Sequence, residues 1–178
     1  MPGPYQVYSL APDGTTYMGL ITREDSWEMT GQQMPIPFRK GECYDVSLWL
    51  ARAVSGYSGY NGATRLRVWA GNSMCDKQQL LFESQTIEHR EFKKYHFYFW
   101  TKEAYKFILF EAYYKKDYTT PYNGNILVDG VSAFKPCLRA NDNDEQEGYW
   151  PTKPNYDLWF MIYDLWFLIY ELRFMTYW

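Results

Sequence analysis

The sequence has little of what most catalytic and zinc sites are built from. It holds two histidines and three cysteines in 178 residues, with no CxxC pair and no Cys/His cluster, which argues against a structural zinc site. A nucleophile needs a base within hydrogen-bond reach, and His89 and His96 are the only imidazoles. The GxSxG, HExxH, P-loop and GxGxxG patterns are all absent. We therefore predict a protein that is not an enzyme.

Basic charge is also scarce. The formal net charge is −3, and no run of Lys and Arg is long enough to follow a phosphate backbone. We therefore predict no nucleic-acid partner. The opening residues, MPGPYQVYSL, lack the basic and apolar regions of a signal peptide. If the domain is exported, we expect this chain to be a piece of a longer gene product.

The cysteines are Cys43, Cys75 and Cys137. An odd number excludes complete intramolecular pairing. One disulfide with one free thiol and three buried thiols both fit the sequence, and a single disulfide would suit an exported protein.

Aromatic residues and short alternating segments are abundant instead. In residues 42–53, apolar Tyr44, Val46, Leu48 and Leu50 alternate with other residues, the period of a strand with one buried face. No convincing amphipathic helix appears before residue 150. Strands are predicted at 15–23, 27–34 (ended by Pro35 and Pro37), 42–53, 64–70, 78–83, 94–101, 105–112 and 124–134. Their number and spacing predict an all-β fold, an antiparallel β-sandwich of the jelly-roll type.

The end of the chain differs in composition. Residues 138–155 are polar, acidic and proline-containing, as expected of a linker. Residues 156–178 repeat every seven residues, as YDLWFMI, YDLWFLI and YELRFMT. Such a repeat lacks the polar face of a coiled coil, and its acidic residues oppose membrane insertion. We favour a translated seven-nucleotide DNA repeat over a membrane anchor or a packing element. The binding domain then occupies residues 1–137, and membrane contact is expected only if the tail is genuine.

Two features suggest binding. Outward-phase aromatic residues occur on several strands, namely Trp49, Trp69, Tyr98 and Trp100, and exposed rings hold sugars through their C–H faces. Packing against covering loops is the alternative for these rings. The loop at 55–62 contributes Tyr57 and Tyr60 among Ser, Gly and Asn, a mixture that gives rigid contact area and adaptable hydrogen bonds. A plain flexible connection is the alternative there.

Carboxylates offer two further possibilities. Glu83, Glu111 and Asp129 lie in or beside strands, so a hydrolytic pair could form among them, although pairing with Arg or bonding to loops is favoured. Asp129 stands beside Gly130, where a carboxylate and backbone carbonyls can bind Ca²⁺. A structural role in a turn is the alternative for Asp129.

Several segments together resemble a known family. GTTYMGLITRE, GECYDVSLWLARA, LRVWAGNSMCDKQQLLFES, FILFEAYY and PYNGNILVDGVS are similar to a galactose-binding-like, carbohydrate-binding-module-like jelly-roll domain. This domain occurs in secreted and outer-membrane proteins of gliding bacteria, beside OmpA-type or gliding-motility modules. The resemblance covers about residues 14–137 and implies a non-catalytic surface module. It also implies a structural Ca²⁺ between the first strand and Asp129, with the usual first strand missing before Pro12.

We therefore predict a non-catalytic cell-surface module that recognises a glycan or another cell-envelope component. Its expected location is exported, at the cell surface or outer membrane. The alternatives are a structural protein–protein interaction module without a small ligand, and an accessory fragment of a glycosidase.

Overall fold

The computed structural model describes residues 7–54, 59–114 and 122–137. The chain divides into two units, Met1–Arg139 and Ala140–Trp178, and the second unit lies outside the described residues. The predictions for the linker, for the heptad tail and for Tyr57 therefore fall outside the description as well. Within the described ranges, no helix has the length and apolar character needed to cross a membrane.

The described residues form nine strands, and the first eight overlap the eight predicted segments. They are β1 (Met18–Thr22), β2 (Met29–Phe38), β3 (Cys43–Arg52), β4 (Arg65–Gly71), β5 (Gln79–Glu83), β6 (Lys93–Trp100), β7 (Tyr105–Tyr113), β8 (Gly124–Asp129) and β9 (Lys135–Pro136).

The strands build two antiparallel sheets. One sheet has the order β1-β8-β3-β6, with the short β9 also paired to β3, and the other has the order β2-β7-β4-β5. Eight strands that pass between two sheets in this order make a jelly roll. The predicted all-β antiparallel sandwich of the jelly-roll type is confirmed.

The core lies between the sheets and follows the predicted alternation. Along β3 the buried side chains are Tyr44, Val46, Leu48 and Leu50, and along β4 they are Leu66, Val68 and Ala70. Burying these chains supplies the main driving force for joining the two sheets. The intervening residues point away from the core, and they form the outer face of each sheet.

The second strand differs from its prediction. The sequence placed its end before Pro35, but β2 runs on through both prolines to Phe38. β2 is an edge strand, and proline is tolerated at a sheet edge because no neighbour requires its missing N–H. The pairing with β7 changes register between Gln33 and Phe38, and this interval contains both prolines.

The last long strand is shorter than predicted. It ends at Asp129, because Gly130 adopts a positive φ of 52° and its N–H binds the Asp129 carboxylate at 2.8 Å. A left-handed conformation of this kind turns the chain out of the sheet. Residues 131–134 therefore lie outside the strand, and β9 follows.

A disulfide joins Cys43 to Cys137, and Cys75 is a free, exposed cysteine. The bond connects the first residue of β3 to the residue that follows β9. The Cys137 N–H also donates to the Cys43 carbonyl at 3.0 Å. Of the two arrangements that the sequence allowed, the structure has one bridge and one free thiol.

Candidate binding site

The predicted aromatic residues lie on two opposite surfaces of the sandwich. Trp69 lies on the outer face of the four-stranded sheet, because β4 belongs to that sheet. Trp49, Tyr98 and Trp100 lie on the outer face of the five-stranded sheet, on β3 and β6. The structure therefore does not bring the four rings into one row.

Trp49 packs against neighbouring loops. A Cβ placed on Gly130 would lie 2.8 Å from Cδ1 of Trp49 and 3.6 Å from Cβ of Asp13, so indole and loops are in close contact. Farther along the same face, a small apolar cluster is covered by Tyr17 and Phe92. Loops thus occupy much of the five-stranded face near Trp49.

Tyr98 and Trp100 lie at the more open end of that face. Tyr98 is 41% exposed, and the His96 ring meets it edge-on with centroids 4.7 Å apart. His96 Nε2 also pairs with the Asp45 carboxylate. Trp100 is half-buried and lies opposite Cys43 in the strand register.

Tyr60 belongs to a different neighbourhood. The Arg23 guanidinium lies 5.9 Å from the centroid of the Tyr60 ring, and Arg23 also pairs with Glu28 at 3.0 Å. Such a contact can hold a loop ring in place. Tyr60 therefore contacts the chain just after β1.

The Asp129 carboxylate accepts hydrogen bonds from two backbone N–H groups. Its Oδ2 accepts from the Asp13 N–H at 3.0 Å and its Oδ1 from the Gly130 N–H at 2.8 Å. Ca²⁺ takes six to eight oxygen ligands. No group of three or more His, Cys, Asp and Glu that could hold a metal occurs in the described part of the chain. The contacts fit the structural alternative for Asp129, and calcium binding stays a prediction.

A second set of side chains on the four-stranded face forms a connected polar and aromatic group, here called the Trp69 cluster. It consists of Arg65, Arg67, Trp69, Lys77, Glu83, Glu111 and Tyr113. Trp69 Nε1 donates to Glu111 Oε2 at 2.8 Å, and Lys77 Nζ lies 2.7 Å from Glu111 Oε1. Glu111 is only 4% exposed, although it points away from the core. A buried carboxylate with a cation and an indole N–H on its two oxygens is fixed in position.

Arg67 connects the other half of the cluster. Its Nε lies 2.7 Å from Glu83 Oε2, and its guanidinium sits 3.2 Å from the centroid of the Tyr113 ring. Arg65 binds the other oxygen of Glu83 at 2.9 Å. Burial raises the pKa of the Glu83 carboxyl, but the hydrogen bonds from Arg67 and Arg65 outweigh burial and leave the pKa below its ordinary value.

These contacts do not favour the hydrolytic pair that was considered for Glu83, Glu111 and Asp129. Glu83 and Glu111 stand on either side of Arg67 in the strand register, and each is engaged by cations. A glycosidase needs a carboxyl of raised pKa as its general acid. The lowered pKa of Glu83 is a shift in the opposite direction. Asp129 lies on the other sheet, so it does not complete a pair with either of them.

The sequence interpretation missed Arg67, Lys77 and Tyr113 as members of a surface. Alternation did place Trp69 on the outward side of its strand, and Arg65 and Arg67 share its phase. However, the partners of these residues come from β5, β7 and the loop between β4 and β5. Only the strand order of the sheet brings those segments together.

Comparisons with known proteins identify no family for this chain. The sequence matches no protein-family model and no curated protein. Among solved structures, the chain is similar to a family 16 carbohydrate binding module-2, at 12% identity and a TM-score of 0.38, covering 72% of this chain and 85% of that one. It is also similar to the K3 cleaved adhesin domain of Lys-gingipain from Porphyromonas gingivalis, at 10% identity and a TM-score of 0.30, covering 70% of this chain and 72% of that one.

Proposed function

We propose that this domain is a non-catalytic module that binds a glycan on the outer face of its four-stranded sheet. The observation that carries the proposal is the Trp69 cluster. There, a half-buried indole lies among charged side chains that are already fixed by one another. Sugars present both C–H faces and hydroxyls, so they are recognised where a ring adjoins fixed polar groups.

The network favours binding because little side-chain freedom remains to be lost. Glu111 is held by Trp69 and Lys77, and Glu83 is held by two arginines. Groups that are already ordered lower the entropic cost of association. A guanidinium has five N–H donors, so Arg65 and Arg67 can bind Glu83 and still donate to the hydroxyls of a sugar.

The opposite face provides a second, smaller aromatic surface. Tyr98 and Trp100 remain accessible there, whereas Trp49 is packed against loops. We assign this surface a lesser role in glycan binding than the Trp69 cluster, because the polar contact beside its rings is a partly exposed one, between His96 and the Asp45 carboxylate.

We further propose an exported, cell-surface location with a glycan or another cell-envelope component as partner. The Cys43–Cys137 disulfide supports this location, because such bonds persist in oxidising compartments. A structural protein–protein interaction module is the alternative function.

The proposal can be tested with Trp69→Ala on a glycan array, followed by affinity electrophoresis in each polysaccharide that binds. We expect an affinity loss of about tenfold or more, because a stacking ring is removed. Trp100→Ala, on the opposite sheet, is the matched control and should bind nearly as well as the parent.

Two results would contradict the assignment. Full binding by Trp69→Ala, together with a loss in Trp100→Ala, would move the site to the five-stranded sheet. Absence of binding to every glycan by the folded parent protein would favour the interaction-module alternative.

A further inference from the structure

An apolar cleft opens between the two sheets at the β2 edge. Its volume is about 840 Å³, and core side chains form its floor, among them Met18, Met34, Phe38, Ile108, Phe110 and Phe134. This volume lies in the range of roughly 300–1,000 Å³ that is usual for small-molecule sites. The cleft is separate from the Trp69 cluster, since none of the cluster residues lines it.

The cleft is open because β2 does not close over it. β2 changes register against β7 between Gln33 and Phe38, and Pro35 and Pro37 lie within that interval. Ile36, between the prolines, is 74% exposed, and Val131, which also lines the cleft, is 39% exposed. Proline has no N–H to donate to an added strand, so a further strand does not readily pair with this part of β2 and cover the cleft.

The mouth of the cleft carries one cation and one anion that do not pair. Arg39 and Glu42 both line it, from the turn that joins β2 to β3. Neither side chain forms an ion pair with another residue in the described ranges, whereas neighbouring Lys40 pairs with Glu103 at 2.7 Å. The backbone of the turn is fixed, because the Arg39 N–H donates to the Tyr44 hydroxyl at 2.8 Å.

We propose that this cleft binds a single-chain amphiphile with a zwitterionic headgroup. The alkyl chain lies along the methionine and phenylalanine side chains, and the head meets Arg39 with its anionic group and Glu42 with its cationic group. Charge complementarity selects this class, because a purely anionic or purely cationic head would face one like charge at the mouth. The proposal does not depend on glycan binding by the Trp69 cluster.

A methyl-resolved titration provides the direct test. The protein is labelled with ¹³C at its methionine methyl groups and titrated with dodecylphosphocholine below its critical micelle concentration. We expect saturable shifts of the Met18 and Met34 signals, which come from the cleft. Met29 and Met74 lie outside the cleft lining and serve as internal references that should not move.

Ile36→Glu tests the site by placing a charge at its apolar lip. Ile36 is largely exposed, so the variant should fold, and we expect its affinity for dodecylphosphocholine to fall about tenfold. Leu10→Glu is the matched control, because Leu10 is 90% exposed and does not line the cleft; its affinity should be unchanged.

The headgroup is tested with the double variant Arg39→Gln and Glu42→Gln. We expect it to lose its preference for dodecylphosphocholine over laurate and dodecyltrimethylammonium, while still binding all three through the alkyl chain. Equal affinity of the parent protein for the three amphiphiles would overturn the headgroup assignment.

Three outcomes would overturn the site itself. They are the absence of shifts at Met18 and Met34, unchanged affinity in Ile36→Glu, and binding only to phosphatidylcholine vesicles without a titration below the micelle concentration. Glycan binding is measured in parallel. Ile36→Glu should retain it and Trp69→Ala should retain amphiphile binding, so failure of one proposal leaves the other standing.

Discussion

The ionisation of Glu83 makes the stability of the protein depend on pH. Arg65 and Arg67 both bind its carboxylate, and the pKa of Glu83 is lowered in the folded protein. A carboxyl with a lower pKa in the folded chain binds its proton more weakly there than in the unfolded chain. Its contribution to stability is therefore present above the unfolded pKa and is lost as the pH falls through the folded pKa.

We expect Glu83→Gln to reduce the free energy of unfolding at pH 7 by no more than about 1 kcal/mol, because the pair is partly exposed to solvent. The difference between variant and parent should shrink as the pH drops below about 4 and disappear in stronger acid. Urea denaturation at a series of pH values measures it.

Glu103→Gln is the control for this experiment. Glu103 pairs with Lys40, but both side chains are more than half exposed, so its removal should change stability very little. A Glu83→Gln deficit that is equally large at pH 2.5 and pH 7 would show that ionisation of Glu83 does not contribute.

Trp69 shows which part of a residue's environment the sequence predicts and which part it does not. The alternation along β4 correctly placed Trp69 outward. Its hydrogen bond to Glu111 joins residues 42 positions apart. Local periodicity carries no information on such a pair, because the choice of neighbouring strand is made by the packing of the whole sandwich.

Among the structural elements, the connection between β4 and β5 leaves no room for a side chain at Gly71. A Cβ placed on Gly71 would lie 1.7 Å from the Asp76 carbonyl oxygen, which belongs to the backbone. The turn cannot easily relax, because the Asp76 carboxylate accepts from the Asn72 N–H at 3.1 Å and from Gln78 Nε2 at 2.6 Å.

We therefore expect Gly71→Ala to lower the free energy of unfolding by about 2–4 kcal/mol, as is typical when backbone must move. Guanidinium denaturation measures the change. Ser73→Ala, at an exposed position of the same loop, should leave the transition midpoint nearly unchanged. An unaltered midpoint in Gly71→Ala would show that the loop accommodates the methyl group freely.

Element boundaries were predictable where alternation was strong and less so where proline or glycine intervened. The central strands β3, β4 and β7 lie within one or two residues of their predicted bounds. The ends of β2 and β8 were wrong. Proline is compatible with a strand only at an edge, and the sequence does not state which strands are edges.

For the whole molecule, the long-range covalent link is the feature with the largest expected effect. Cys43 and Cys137 are 94 positions apart, and closing a loop of that length in the unfolded chain contributes roughly 4–5 kcal/mol in the chain-entropy description.

We expect Cys137→Ser to lower the free energy of unfolding by about 2–5 kcal/mol in guanidinium denaturation without reductant. Cys75→Ser is the matched control, since Cys75 is free and exposed, and it should unfold like the parent. With a reductant present, parent and Cys137→Ser should converge. A gap of the same size under reducing conditions would mean that the bridge is not its source.

The overall fold was largely predictable, but the arrangement of the binding surface was not. Eight strand segments with buried alternating residues are enough to indicate a sandwich. Trp49 and Trp69 have the same outward phase in the sequence, yet β3 and β4 belong to different sheets and the two rings end on opposite sides. A platform can be recognised only after the strand order is known.

The position of the disulfide also determines how the domain would respond to mechanical load. A pull on the chain beyond Cys137 passes through the sulfur atoms to Cys43, at the start of β3, and does not peel β9 or β8 from the sheet. The 94-residue interval between the two cysteines, equivalent to roughly 320 Å of extended chain, cannot lengthen while the bond is intact. Under tension from that side, most of the sandwich would act as a short, inextensible link.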